Sequence, residues 1–174
     1  MFPVAGTSLF LTERLEARRL TADDAVEMVS IFGDVESMRF VGDSQVLSEE
    51  ECRQWVVDVT ERNFIQRGYG LIAFFSKDGD EMVACGGVFH PDQQPEPELM
   101  YWVRREHWGK GYATEIVKRL VEYAKDDWGI GHMIATIHPD NLPSQRVIAK
   151  AGFHHAEDRI DDDGSVTQVW VKGD

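Results

Sequence analysis

Two apolar runs, LIAFFS at 71–76 and MVACGGVF at 82–89, are separated only by KDGDE. A connection that short, centred on Asp78-Gly79, makes a tight hairpin and leaves no room for a crossover helix. The two strands must therefore pair antiparallel, which excludes a sheet wound strictly from alternating strands and helices. The segments on either side fit that reading. Residues 13–20 alternate Leu15, Ala17 and Arg19 against Arg14, Glu16 and Arg18, as a strand does. Thr21 with Asp24 forms a capping box for a short helix through Phe32, stopped by Gly33. Ser48 with Glu51 opens a longer helix to about Arg67, with Trp55, Val56, Val59 and Phe64 as its apolar stripe and Gly68 and Gly70 beyond its end.

After the hairpin come a proline-rich loop, HPDQQPEP, and a strand at 98–103. A helix over 113–127 follows, carrying Ile116, Val117, Leu120, Val121 and Ala124 at helical spacing. A strand at 132–138 precedes a helix that Pro143 opens and Gly152 closes. Strands at 153–160 and 166–172 end the chain. The predicted fold class is α+β: a mixed, largely antiparallel twisted sheet flanked by about four helices. With 174 residues and no linker, residues 1–174 read as one domain.

The formal net charge is −13. A polyanion is repelled at long range by such a chain, so neither nucleic acid nor an anionic membrane is an expected partner. A cationic partner such as an amine suits it, as does a simple demand for solubility. Cys52 and Cys85 have no metal or redox spacing and read as reduced packing residues. No metal is expected. No basic leader and no apolar run of membrane length is evident, so a cytoplasmic location is expected.

The stretch HWGKGYATE, His107 to Glu115, sets glycines around a lysine between a strand and a helix. That order aims backbone N–H groups at one point beside a positive helix end, an arrangement suited to a phosphate or pyrophosphate. A purely structural turn is the other reading. It is not a P-loop, because glycine follows the lysine where that motif needs Ser or Thr. Thirty residues after Gly111 begins a second pattern, N-x-x-S-x-x-V-x-x-K-x-G-F, formed by Asn141, Ser144, Val147, Lys150, Gly152 and Phe153.

Together the two segments resemble the GNAT superfamily of N-acetyltransferases, whose signature Q/R-x-x-G-x-G/A falls here on Trp108 to Ala113. Trp108 departs from the usual Gln or Arg. YWV…HWGKGYATE, TERLEARRLTADD and NLPSQRVIAKAGF are similar to the RimJ/RimL-like branch of ribosomal-protein N-acetyltransferases, and the likeness runs from about Thr12 to Val171. It implies a GNAT-like sheet with splayed central strands, acetyl-CoA as co-substrate, a primary amine as acceptor (a protein N-terminus or a small molecule) and self-association as a homodimer. It places Trp102, Val103, Gly109, Lys110, Gly111, Tyr112, Ala113, Thr114, Asn141 and Ser144 against the cofactor, the first two through their backbone.

The chemistry needs a group to take the proton of an incoming ammonium. The resemblance implies Glu98 for that role; a solvated strand-edge glutamate is its other reading. Glu96, His138 and His107 are secondary choices. Relatives carry a tyrosine seven residues after the asparagine, but that position is Ile148 here, so Ser144 is the remaining hydrogen-bond donor for the departing thiolate. Ser144 and Asn141 also read as first-turn and N-cap residues of a helix. Two competing readings keep the fold: acetylation of a small amine or antibiotic-like molecule, and a catalytically weak CoA-binding sensor.

Overall fold

The computed structural model describes residues 6–78, 81–91 and 94–173. Eight strands form one sheet in the order β1-β2-β3-β4-β5-β6-β8-β7. They are β1 (Ser8–Leu11), β2 (Leu15–Arg19), β3 (Leu71–Ser76), β4 (Met82–Phe89), β5 (Glu98–Val103), β6 (Met133–Ile137), β7 (His154–Ile160) and β8 (Val166–Lys172). Every neighbouring pair is antiparallel except β5 with β6. The mixed, mainly antiparallel sheet is thus as expected. The Asp78-Gly79 turn itself lies outside the described residues.

The helices are α1 (Ala25–Phe32), a single turn α2 (Val35–Met38), α3 (Glu49–Trp55), α4 (Arg62–Arg67), α5 (Tyr112–Asp126) and α6 (Leu142–Lys150). A π-helical stretch, Val56–Glu61, joins α3 to α4 into one rod that ends at Gly68, with φ 83°. Both capping boxes form. The Asp24 carboxylate accepts from the Thr21 N–H and hydroxyl at 2.7 and 2.8 Å, and Glu51 accepts from the Ser48 N–H at 2.8 Å. A 3₁₀ turn, Ala22–Asp24, precedes α1, so the regular helix starts three residues later than the box suggests.

Two elements were not expected, β1 and α2. Each is four residues long, too short for a period to show. β1 also carries a register irregularity between Ser8 and Phe10 that breaks its alternation against β2.

The core lies on both faces of the sheet. On one face α5 and α6 cover Ala17, Phe74, Leu99, Val103 and Ile137. On the other, α1 and α3 cover Leu71, Ala73, Met82 and Cys85. Both cysteines are free and buried, and burial pushes the Cys52 thiol up to about 11. No helix among the described residues is long and apolar enough to cross a membrane.

Candidate active site

Strands β5 and β6 meet at a single register pair, Glu98 with Ile134, closed by a 2.9 Å bond from the Ile134 N–H to the Pro97 carbonyl. Beyond it the ladder stops. The next inward N–H of β6, that of Thr136, goes to the Glu98 carboxylate at 3.2 Å rather than to a backbone carbonyl. The Thr136 hydroxyl donates to the same oxygen, and the Gln94 side chain donates to the other at 2.9 Å. Glu98 is therefore no solvated edge residue. It is 2% exposed and sits at the closed end of the gap between the two strands. Burial raises its pKa, and the bonds from Thr136 and Gln94 offset that only in part.

The open part of the gap has a backbone lining. The Arg104 N–H bonds the Val83 carbonyl of β4 at 2.9 Å. In an antiparallel ladder the bonding direction alternates, so Trp102 pairs with Cys85 while the N–H and C=O groups of Tyr101 and Val103 face away from β4. The Trp102 ring points to the opposite face, edge-on to Phe32 at 5.1 Å and Trp55 at 5.7 Å. Among the backbone groups expected at the cofactor, those of Val103 face the gap and those of Trp102 face β4.

Trp108 explains its own departure from the signature. Its indole N–H donates to the Val103 carbonyl at 2.7 Å although the residue is 46% exposed, and so ties the glycine turn to the end of β5. Gly109 and Gly111 have φ of 73° and 82°, the left-handed region where a side chain is strained. No side chain caps α5. The first-turn N–H groups of Tyr112, Ala113 and Thr114 therefore have no intrahelical acceptor and point out beside Gly109 and Lys110 at the positive helix end.

The turn is clamped from across the molecule. Arg14, between β1 and β2, donates to the Lys110 carbonyl at 2.9 Å and to Glu115 of α5 at 2.7 Å, and its guanidinium lies 3.8 Å from the Tyr112 ring centre. Glu115 also accepts from the Thr12 hydroxyl at 2.6 Å and the Arg14 N–H at 2.8 Å. Partial burial opposes its ionisation, yet these donors together hold its carboxyl below the usual range.

On α6, the Asn141 side chain accepts from the Ser144 N–H at 3.2 Å, a regular N-cap. The Ser144 hydroxyl is 2.9 Å from the Tyr101 hydroxyl. Burial raises the Tyr101 pKa to about 12, so the phenol stays protonated at neutral pH. Strand alternation sets Glu98 on one face of β5 and Tyr101 on the other. The secondary candidates lie elsewhere: Glu96 is exposed. His138 is exposed and stacked on Phe40, with ring centres 5.1 Å apart. His107 packs edge-on against Tyr112 and lies 3.5 Å from Glu81.

Arg14, Thr12, Tyr101, Thr136 and Gln94 were not singled out from the sequence. The Arg14–Glu115 pair joins residues 101 apart, a separation that leaves no local pattern. Tyr101 had one legible signal, its place on the strand that leads into the signature.

The parted strands and the uncapped, glycine-led helix are the framework of an acyltransferase. A family model described as an acetyltransferase (GNAT) domain matches residues 14–154, and the chain belongs to that family of N-acetyltransferases. The uncharacterized protein YkkB of Bacillus subtilis (strain 168) is 30% identical over 154 residues, covering 84% of this chain and 86% of that protein. The ribosomal L7/L12 alpha-N-protein acetyltransferase RimL, solved in complex with coenzyme A, superposes with a TM-score of 0.77 at 16% identity, covering 95% of this chain and 97% of that one. AAC(6')-Ib in complex with ribostamycin and coenzyme A superposes with a TM-score of 0.75 at 15% identity, over 92% and 94% of the two chains.

Proposed function

We propose that the protein transfers the acetyl group of acetyl-CoA directly to a primary amine, with a protein or peptide N-terminus as the first acceptor class to test and the whole chain acting as one catalytic domain. The observation that carries this reading is the gap between β5 and β6, which has a buried carboxylate at its closed end and the free α5 N-terminus beside its open end.

In this reading the pyrophosphate lies on the N–H groups of Gly109 to Thr114, and the pantetheine arm runs into the gap beside Val103, Tyr101 and Asn141. Backbone dipoles then hold the anion, which is why a chain of net charge −13 needs little local positive charge. The amine nitrogen attacks the thioester carbonyl carbon, whose developing oxyanion meets a backbone N–H of β5. The C–S bond breaks and its electron pair leaves on sulfur. Glu98 takes the proton from the amine. Its raised pKa makes it a stronger base than an exposed glutamate, and it approaches from the face of α1 and α3. From the other face the hydrogen-bonded hydroxyls of Ser144 and the protonated Tyr101 act as one donor: one bonds to the other, whose proton goes to the thiolate. Ser144 acts as a donor and not as an acylated nucleophile, since its hydroxyl partner is a phenol and no base among the described residues is bonded to it.

A second acceptor class, small polyamines of the aminoglycoside kind, is supported by the AAC(6')-Ib likeness and by the acidic surface. The test is thiol release from acetyl-CoA across a panel of N-terminal peptides, simple amines and aminoglycosides. Release that depends on an amine, and that Gly111→Glu abolishes together with CoA binding, is the expected result. Calorimetry showing that Gly111→Glu binds CoA as tightly as the parent would overturn the placement of the cofactor.

A further inference from the structure

The chain has six lysines, Lys77, Lys110, Lys118, Lys125, Lys150 and Lys172. The last four line one cavity of about 310 Å³ between α5, the end of α6 and the edges of β6 and β8. Lys118 and Lys125 lie seven and fourteen residues past Gly111, roughly 10 and 21 Å along the helix axis. Met133 and Lys172, paired across β6 and β8, mark the strand ends opposite the gap.

Helix polarity accounts for part of this cluster. Lys125 and Lys150 occupy the last turns of α5 and α6, where a cation complements the helix dipole. It does not account for Lys118, in the middle of α5, or for Lys172, on a strand. Among the described residues Lys118, Lys150 and Lys172 have no hydrogen bond and no ion pair. That is unexpected in a chain with 31 acidic side chains. The acid on the cavity wall, Glu122, lies 3.6 Å from Arg119. Unpartnered cations drawn together from two helices and a strand repel one another, a cost that a bound anion would cancel. Beneath them Val121 and Met133 give the cavity an apolar floor.

We propose that this cavity is a second anion site, separate from the glycine turn, that takes a small organic phosphate: the phosphate among the lysines, the apolar body on Val121 and Met133. The volume is that of a small-molecule site. The long-range field of the chain repels anions, so binding depends on close contact with the lysines.

The probe is phenyl phosphate, measured by calorimetry with and without saturating CoA, on the parent and on the double variant Lys118→Gln/Lys172→Gln. The expected results are binding to the parent in both conditions and affinity at least tenfold weaker in the double variant. The ligand-free variant should also melt at or above the parent temperature, because the repulsion is relieved. Equal affinity in the two proteins overturns the proposal, as does absence of binding at millimolar ligand in low salt. Displacement of phenyl phosphate by CoA also overturns it, since the phosphate would then be on the glycine turn. A double variant that melts below the parent does so too, since the lysines would then be structural.

Discussion

Arg14→Ala removes the clamp on the turn without touching the turn itself. The guanidinium makes two contacts with Glu115, at 2.7 and 2.6 Å, and one with the Lys110 carbonyl at 2.9 Å. Charge-assisted bonds are worth about 1.5–3 kcal/mol when well shielded. This side chain is 37% exposed, however, so the clamp as a whole is worth about 1–2 kcal/mol. Glu115 is not left stranded, because the Thr12 hydroxyl and the backbone N–H of residue 14 remain. The pH dependence has a definite sign. A carboxyl held below its unfolded range gives stability that is present above that range and is lost as pH falls through the folded value. Part of that stability belongs to Arg14, so the variant should lose less than the parent between neutral pH and pH 3 in urea titrations. Functionally, release of Lys110 loosens the donors around the pyrophosphate while the reacting groups stay in place. The KM for acetyl-CoA should rise about tenfold with kcat nearly unchanged. Arg14→Lys, which keeps charge but not the fork, should fall between. Lost stability with an unchanged KM would refute the reasoning, because the clamp would then hold the β1–β2 turn and not the anion site.

Glu98→Gln should lower turnover by about 10²–10⁴-fold at neutral pH and leave CoA binding intact; unchanged turnover removes Glu98 from the mechanism. Because burial raises the Glu98 carboxyl, the rate of the parent should climb with pH above the usual glutamate range, a limb that the variant lacks. The same shift means that the Glu98 contribution to stability falls as pH rises past the unfolded value, so the variant should compare best with the parent at neutral pH and worst near pH 4. Tyr101→Phe and Ser144→Ala should each reduce kcat by about tenfold, and the double variant by little more, as expected of two hydroxyls acting as one donor. Fully multiplicative losses would show that they act separately.

The fold was legible where a local period or a cap carried it. Ser48 and Glu51 announced the longest helical segment, the five-residue spacing after Ser76 fixed the antiparallel pairing, and β5 and β8 have the bounds their alternation implied. The glycine turn was legible because φ values of 73° and 82° call for glycine. What joins distant segments was not. Thr136 completes the surroundings of Glu98 from a strand 38 residues on, and nothing in the run HMIATIH marks its one threonine as a carboxylate partner. Trp108 shows in the sequence only as a departure from the usual Gln or Arg; its bond to the Val103 carbonyl belongs to the folded turn and has no local pattern.

The single β5–β6 pair has a mechanical consequence. Strands β1 to β5 form one plate and β6, β8 and β7 another, with one rung between them. The core under α1 and α3 belongs wholly to the first plate and stops at Met100 and Trp102. The core under α5 and α6 crosses the seam, joining Phe74 and Leu99 to Met133, Ile137 and Phe153. The plates therefore share a core on one side only, like a hinge whose leaf is α5, and beside the single rung the Glu98 carboxylate ties the two strands through Thr136. A ligand whose polar groups reached both strand edges would add rungs where the ladder lacks them, so that occupancy and rigidity rise together.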